Sequence, residues 1–166
     1  MRWEPHAMIP GVTRDERVHD FERLFREDGP GLWRTIYAFT GGRRDLAEEA
    51  VAEAFARAIA RARGIRDPLP WIYRTAFRLA AEELRRERQS RGEATEEVVD
   101  APEVGDLMKA LRQLSPNQRA AVVLRYEADL PVEEVARRMG TAAPTVRVHL
   151  HRARKRLREL LKDDDD

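Results

Sequence analysis

The chain has 166 residues, 37% of them charged and 42% hydrophobic, and a formal net charge of +1. That length holds one medium core or two small ones, and the absence of cysteine excludes a disulfide framework and a thiolate metal site. With no run of about eighteen apolar residues and no signal-peptide pattern, the expectation is a soluble, cytoplasmic chain without membrane insertion.

The charge is unevenly placed. Residues 106 to 160 hold twelve Lys or Arg against six Asp or Glu, whereas residues 89 to 106 hold one Arg against six acids. A basic C-terminal unit therefore stands behind an acidic connector. Only three of the 31 basic residues are lysine, a bias that together with abundant alanine reads as the codon usage of a GC-rich genome rather than as a site.

Residues 1 to 13 contain two prolines, Pro5 and Pro10, and no sustained period, so this stretch reads as a loose arm. A first helix is expected from about Asp15 to Arg26, with Val18, Phe21, Leu24 and Phe25 on one face, broken by Asp28-Gly29-Pro30-Gly31. A second is expected from about Leu32 to Thr40, anchored by Trp33, Ile36, Tyr37 and Phe39 and stopped by Gly41-Gly42. Asp45 with Glu48 three residues later forms a helix-start signature. From there Leu46, Ala47, Ala50, Val51, Ala54, Phe55, Ala58 and Ile59 trace a buried stripe. The outer side carries Glu48, Glu49, Glu53 and Arg57, and two accounts fit the glutamates: complements of the helix dipole, or a docking face for a basic partner.

The stretch from Arg61 to Leu69 loses the period and reads as a loop rich in arginine, including Arg63 and Arg66. Pro70 opens a strong helix reaching about Arg88, with Ile72, Tyr73, Ala76, Phe77, Leu79, Ala80 and Leu84 inward. Its other side aligns Trp71, Arg74, Arg78, Glu82, Arg85 and Gln89. Cationic forks headed by an aromatic ring suit single-stranded nucleic acid, with forks on phosphates and the ring on a base; burial of Trp71 in the core is the competing account. Residues 89 to 105 are acidic and lack large side chains, so they are expected to link two small helical domains, 14–88 and 106–162.

The second domain is expected to hold four helices. One runs through Leu107, Ala110, Leu111 and Leu114, and Ser115-Pro116 caps the next, which packs through Ala120, Val123, Leu124 and Tyr126. Residues 131 to 139 form a short helix buried through Val132, Val135, Ala136 and Met139, with Gly140 at its left-handed end. Thr141 is placed to cap the last helix, which Pro144 opens, and Val146, Leu150, Ala153, Leu157 and Leu160 give its buried face. Its opposite side shows Thr145, Arg147, Val148, His151, Arg152 and Lys155. Two helices about a glycine turn, the second basic, make a helix-turn-helix, although a basic amphipathic helix is also an ordinary solvated surface. Residues 163 to 166 are an acidic tail, and no stretch alternates as a strand.

Catalytic chemistry finds no footing. His149 and His151 stand about 200° apart on a helix and do not share a metal, and His6 and His19 have no partner at ligand spacing. A phosphate-cradling glycine loop is absent, and Ser90 and Ser115 lie in connector and cap contexts. The expectation is an all-α protein with no cofactor, no metal and no catalytic activity.

Two blocks resemble the sigma factors of bacterial RNA polymerase, in the short extracytoplasmic-function group. Residues 45 to 55 followed by Pro70-Trp71-Ile72-Tyr73-Arg74-Thr75-Ala76 resemble the second conserved region of that family. Leu114-Ser115-Pro116-Asn117-Gln118-Arg119-Ala120, Leu124-Arg125-Tyr126, Glu134-Val135-Ala136, Gly140, Pro144-Thr145-Val146-Arg147 and Leu150-His151-Arg152-Ala153-Arg154 resemble its fourth. The resemblance implies binding to core RNA polymerase and to promoter DNA, direction of promoter recognition and help with melting, and it leaves room for an anti-sigma factor. By that analogy Glu49 and Glu53 dock on the clamp helices of the largest subunit. The stripe Trp71, Arg74, Arg78, Glu82 and Arg85, with loop residues Arg63 and Arg66, meets the minus-ten element, where an extruded base held by the loop favours the open duplex. Thr145, Arg147, Val148, His151, Arg152 and Lys155 meet the minus thirty-five element.

The sequence departs from the family pattern at several of these positions. Ala52 stands where glutamine is usual, Arg78 and Glu82 where asparagine and aspartate are frequent, and Pro144, Val148 and His149 where glycine, serine and arginine are common. Fewer donors then reach base edges, which implies more reliance on phosphates and DNA shape. A conventional helix-turn-helix regulator that binds duplex DNA without polymerase is the alternative; an enzyme acting on nucleic acid is a third reading, disfavoured by the missing motifs.

Overall fold

A computed structural model describes residues 14–92 and 105–162, with side chains described from His19 onward. The expected N-terminal arm, most of the acidic linker (93–104), the acidic tail and the side chain of Val18 lie outside the described residues. Among the described residues the fold is all-α: α1 (Arg14–Phe39), α2 (Arg44–Ala60), α3 (Pro68–Ser90), α4 (Asp106–Arg112), α5 (Pro116–Val122), α6 (Val132–Met139) and α7 (Ala143–Lys162). A 3-10 turn at Ala62–Gly64 precedes α3, and α5 runs on into a π-helical segment, Val123–Glu127.

The expected break at Asp28-Gly29-Pro30-Gly31 is not there, and the first two expected helices are one, with Pro30 inside it. Inside a helix a proline removes one N–H donor and its ring crowds the carbonyl four residues back, and it also crowds the Cβ of the residue before it. Here that residue is Gly29, which has no Cβ, and Pro30 itself faces solvent. Thr35 Oγ1 donates to Gly31 O at 2.8 Å one turn later. Burial of Phe21, Leu32, Ile36 and Phe39 along one side of α1 then outweighs the lost backbone bond. Trp33 and Tyr37 stack on each other, half-buried, with ring centroids 5.0 Å apart.

Helix α2 starts at Arg44, and Asp45 does not cap it. Its carboxylate instead accepts from the Arg43 guanidinium at 2.7 and 3.0 Å. The buried stripe from Leu46 to Ala58 is as expected, but Ile59 at its end is 45% exposed. Helix α3 begins two residues before Pro70, at Pro68. Its inner side contributes Ile72, Tyr73, Ala76, Phe77 and Ala80 to the core, and Phe77 meets Phe39 edge-on at 5.0 Å.

In the second half Ser115 caps α5, its hydroxyl accepting from Gln118 N at 3.3 Å. Leu107 is exposed, because α4 presents Ala110 and Leu111 inward instead. Tyr126 is 53% exposed on the π-helical segment and takes a 3.2 Å bond from Arg154 Nη1 through its hydroxyl, so it meets α7 at its rim and not in the core. Helix α6 ends at Gly140, which has φ 69°, the left-handed conformation that favours glycine. Thr141 N–H donates to Ala136 O at 3.0 Å in this turn, and the first α7 bond runs from Val146 N to Ala142 O. The helix ladder therefore starts one residue beyond the expected cap.

The buried residues of α1–α3 and α4–α7 form one continuous cluster. Polar contacts across the seam come from arginines of the second half. Arg112 Nη2 donates to Gly41 O at 2.6 Å, Arg119 Nη1 donates to Phe39 O at 3.0 Å, and Arg137 Nη2 meets Asp67 Oδ2 at 2.5 Å. The Arg138 guanidinium lies 4.2 Å from the Tyr73 ring centre, a cation–π arrangement.

Candidate nucleic-acid interface

Helix α7 carries the most open of the expected faces. Val146, Leu150 and Ala153 are buried, so the side about 180° away points to water. Thr145, Arg147, Val148, His151, Arg152 and Lys155 are all exposed on that side or its flanks. Arg147 is tied to α6 by a 3.1 Å ion pair with Glu133. Arg152 and Lys155 make no ion pair among the described residues, so their charges are available to an outside anion. The short helix α6 packs against α7 and buries Val135 and Ala136. Its Glu134 accepts from Arg137 at 2.8 Å and Arg138 at 3.0 Å. Partial burial works against the Glu134 charge, but these two guanidinium bonds hold its carboxyl below the ordinary range.

On α3 the expected stripe is also assembled on one side, with Arg74, Arg78, Glu82 and Arg85 exposed. Trp71 is half-buried against the core, so it serves partly as packing. Arg63 is half-buried in the 3-10 turn and Arg66 is exposed just before α3. The neighbourhood of the stripe is less open than that of α7. Arg74 lies so close over Gly140 that a Cβ there would stand 2.7 Å from its Cδ. Arg74 and Arg78 also line a cleft of about 300 Å³ shared with Pro116, Asn117, Arg138 and Met139 of the second half.

Glu49 and Glu53 are exposed on α2, with Glu53 paired to Arg57 at 2.6 Å. Beside them an apolar cleft of about 530 Å³ runs between α1 and α2, lined by Phe21, Phe25, Ala52, Phe55, Ala56 and Ile59. The residues of the three expected sites thus lie on different elements: α7, α3 with the turn before it, and α2.

Arg119, to which sequence analysis assigns no role, is 2% exposed. Besides Phe39 O, its Nη2 donates to Arg112 O at 2.7 Å and to Leu114 O at 3.1 Å. Burial, reinforced by Arg88 and Arg112, pushes its pKa down to about 10, which still leaves it charged at neutral pH. The sequence signal was faint, since an arginine between Gln118 and Ala120 reads as surface until the α1 carbonyl is placed beside it.

Residues 105–157 match the family model for sigma-70, region 4. The chain is similar to the RNA polymerase sigma-E factor of Streptomyces antibioticus, 35% identical over 160 residues that cover 89% of this chain and 88% of that protein. It is 32% identical over 162 residues to the ECF RNA polymerase sigma factor BldN of Streptomyces coelicolor, and the aligned part covers 87% of this chain but only 61% of that relative. Among solved structures it is similar to the sigma factor RpoE of Bartonella quintana, crystallised with the anti-sigma factor NepR. The TM-score is 0.66 at 23% identity, covering 86% of this chain and 97% of that one. At that identity the likeness is one of fold.

Proposed function

The chain belongs to the extracytoplasmic-function sigma factors of RNA polymerase, and from that membership we propose that it binds core polymerase, directs it to a promoter and helps to open the DNA. The observation that carries the reading is the α7 face, where Arg152 and Lys155 stand unpaired among the described residues on the second helix of a helix-turn-helix. Such a helix docks in the major groove while cations neutralise phosphates. On this reading Thr145, Arg147, Val148, His151, Arg152 and Lys155 contact the minus thirty-five element. Arg63, Arg66, Trp71, Arg74, Arg78, Glu82 and Arg85 face the minus-ten element, and Glu49 and Glu53 dock on core polymerase. The protein then acts as a specificity factor with no catalytic step, and its place of work is the cytoplasm. An anti-sigma factor is a fitting further partner, given the complex in which the related fold was crystallised.

The two promoter elements are about 25 base pairs apart, roughly 85 Å at 3.4 Å per pair, whereas the two halves of the chain share one buried cluster. Engaging both elements together requires the halves to separate about the acidic linker, releasing the contacts of Arg112, Arg119 and Arg137 across the seam.

Run-off transcription with purified core polymerase tests the proposal. Promoter-dependent initiation only when the chain is added is expected. Tight duplex binding that ignores polymerase, with no initiation, would instead make the protein a conventional regulator.

A further inference from the structure

On the face opposite the buried side of α7, an apolar residue sits at the centre of a basic surface. Val148 is two residues from the fully buried Val146, and the 200° this represents turns it directly outward. It is 46% exposed. Around it are Thr145 one turn earlier, His151 and Arg152 one turn later, and Lys155 a turn beyond, all exposed. A scattered surface valine needs no explanation on its own. This one occupies the middle of the face proposed to enter the major groove, within the first two turns of the helix, where the residues of a recognition helix contact base edges.

What can lie against Val148 in that groove is limited by chemistry. Its side chain has no donor or acceptor, so a base edge pressed against it loses hydrogen bonds to water and gains none. Guanine, adenine and cytosine present polar atoms there, whereas thymine alone also presents a methyl group. The branched side chain is stiff about χ1, so its two methyl groups are held in place before DNA arrives. Thr145 and His151 flank it, and the phosphate contacts fall to the cations Arg152 and Lys155.

We infer that Val148 is a specificity-determining residue that reads the C5-methyl of a thymine in the upstream promoter element. The inference rests on the sigma factor reading and refines it: discrimination at this position comes from direct apolar contact, in addition to phosphate contacts and DNA shape.

The test uses holoenzyme assembled from core polymerase and the full chain, with duplexes selected from a library randomised across the upstream element. Each selected thymine is then replaced singly by uracil, which removes the methyl group and leaves the base-pairing edge intact. For wild type, uracil at one or two positions is expected to weaken binding about fourfold, the equivalent of about 0.8 kcal/mol for one buried methyl group. For Val148→Ser the same replacement is expected to have no effect at one of those positions, and its exposed site should leave the thermal midpoint unchanged. Wild-type binding indifferent to every uracil replacement, with promoter selection intact, overturns the inference and spares the functional reading. So does a Val148→Ser protein as sensitive to uracil as wild type, which assigns the methyl contact to another residue. A holoenzyme that selects no sequence at all overturns both.

Discussion

Arg119 and the outer face of α7 put the same kind of charge to opposite uses. Arg119 has left water almost completely, has no carboxylate partner among the described residues, and spends its donors on the carbonyls of Phe39, Arg112 and Leu114. Arg152 and Lys155 remain in water and bind nothing among the described residues. A cation withdrawn from solvent is costly to keep buried without its partners, so the carbonyls that satisfy it must stay in place around it and the chain is fixed there. A solvated cation contributes little to folding, and its charge stays free for a polyanion. Substitutions at the two kinds of position should therefore move different observables.

The largest effect is expected at Arg119. Arg119→Met keeps most of the stem but removes every donor, leaving three carbonyls short of a partner. Stability should fall by about 2 to 4 kcal/mol, read as a lower urea midpoint with the slope preserved. A midpoint shift equivalent to less than about 0.5 kcal/mol, the range of ordinary surface changes, would remove the contrast with α7. Next is Glu53→Lys on the exposed side of α2. Its internal partner is Arg57 at i+4, a pair contributing about 0.2 to 0.5 kcal/mol, so folding should barely change. Affinity for core polymerase should fall about tenfold, near 1.4 kcal/mol. Unaltered affinity in a titration against core would detach Glu53 from docking.

How much of this was readable beforehand depends on whether the deciding contact is local. The buried faces of α2, α3 and α7 recur at helical spacing, so Leu46 to Ala58, Ile72 to Ala80 and Val146 to Ala153 could be assigned from periodicity alone. Gly140 was legible for the same reason, because a helix end needing a positive φ selects glycine locally. Pro30 misled because the burial of Phe21, Leu32 and Ile36 that holds α1 together is tertiary, while Gly29 removes only one of the clashes by which a proline breaks a helix. Asp45 misled in another way: an arginine two residues before it offered a stronger partner than the helix backbone. Arg119 was invisible, since its partner carbonyl at Phe39 lies 80 positions away in sequence. The face of α7 was legible as a surface, and what remained hidden was which of its cations other residues already hold, as Glu133 holds Arg147.

A smaller effect separates charge from fold on α7 itself. Arg152→Ala should leave the thermal midpoint unaltered, because the side chain makes no ion pair among the described residues. Promoter binding should weaken by about 1 kcal/mol, and the slope of log affinity against log salt should fall by about 0.9 if one phosphate contact is lost. Weaker binding with an unchanged slope would mean that Arg152 meets a base edge and not the backbone.

The smallest effect lies between the two extremes, at Arg43. This guanidinium is partly buried and bridges Asp45 at 2.7 Å and Glu87 at 2.9 Å, joining the start of α2 to the end of α3. The hydrogen bond from Arg43 holds the Asp45 carboxyl below its ordinary range, against the opposing effect of burial. Because the folded pKa is depressed, the stabilisation is present above the unfolded value of about 3.9 and is lost as pH falls through the folded value. Asp45→Asn should cost only about 0.5 kcal/mol at pH 7, since the carboxylate is 64% exposed and screened by solvent, and Glu87 still holds Arg43. Urea midpoints of variant and wild type should converge as pH drops below about 4, and added salt should narrow the gap at pH 7. A gap of the same size at pH 3 and at pH 7 would mean that Asp45 acts through its shape or its hydrogen bonds and not through its charge. Arg43 would then belong with Arg119, as a group that holds the chain by geometry.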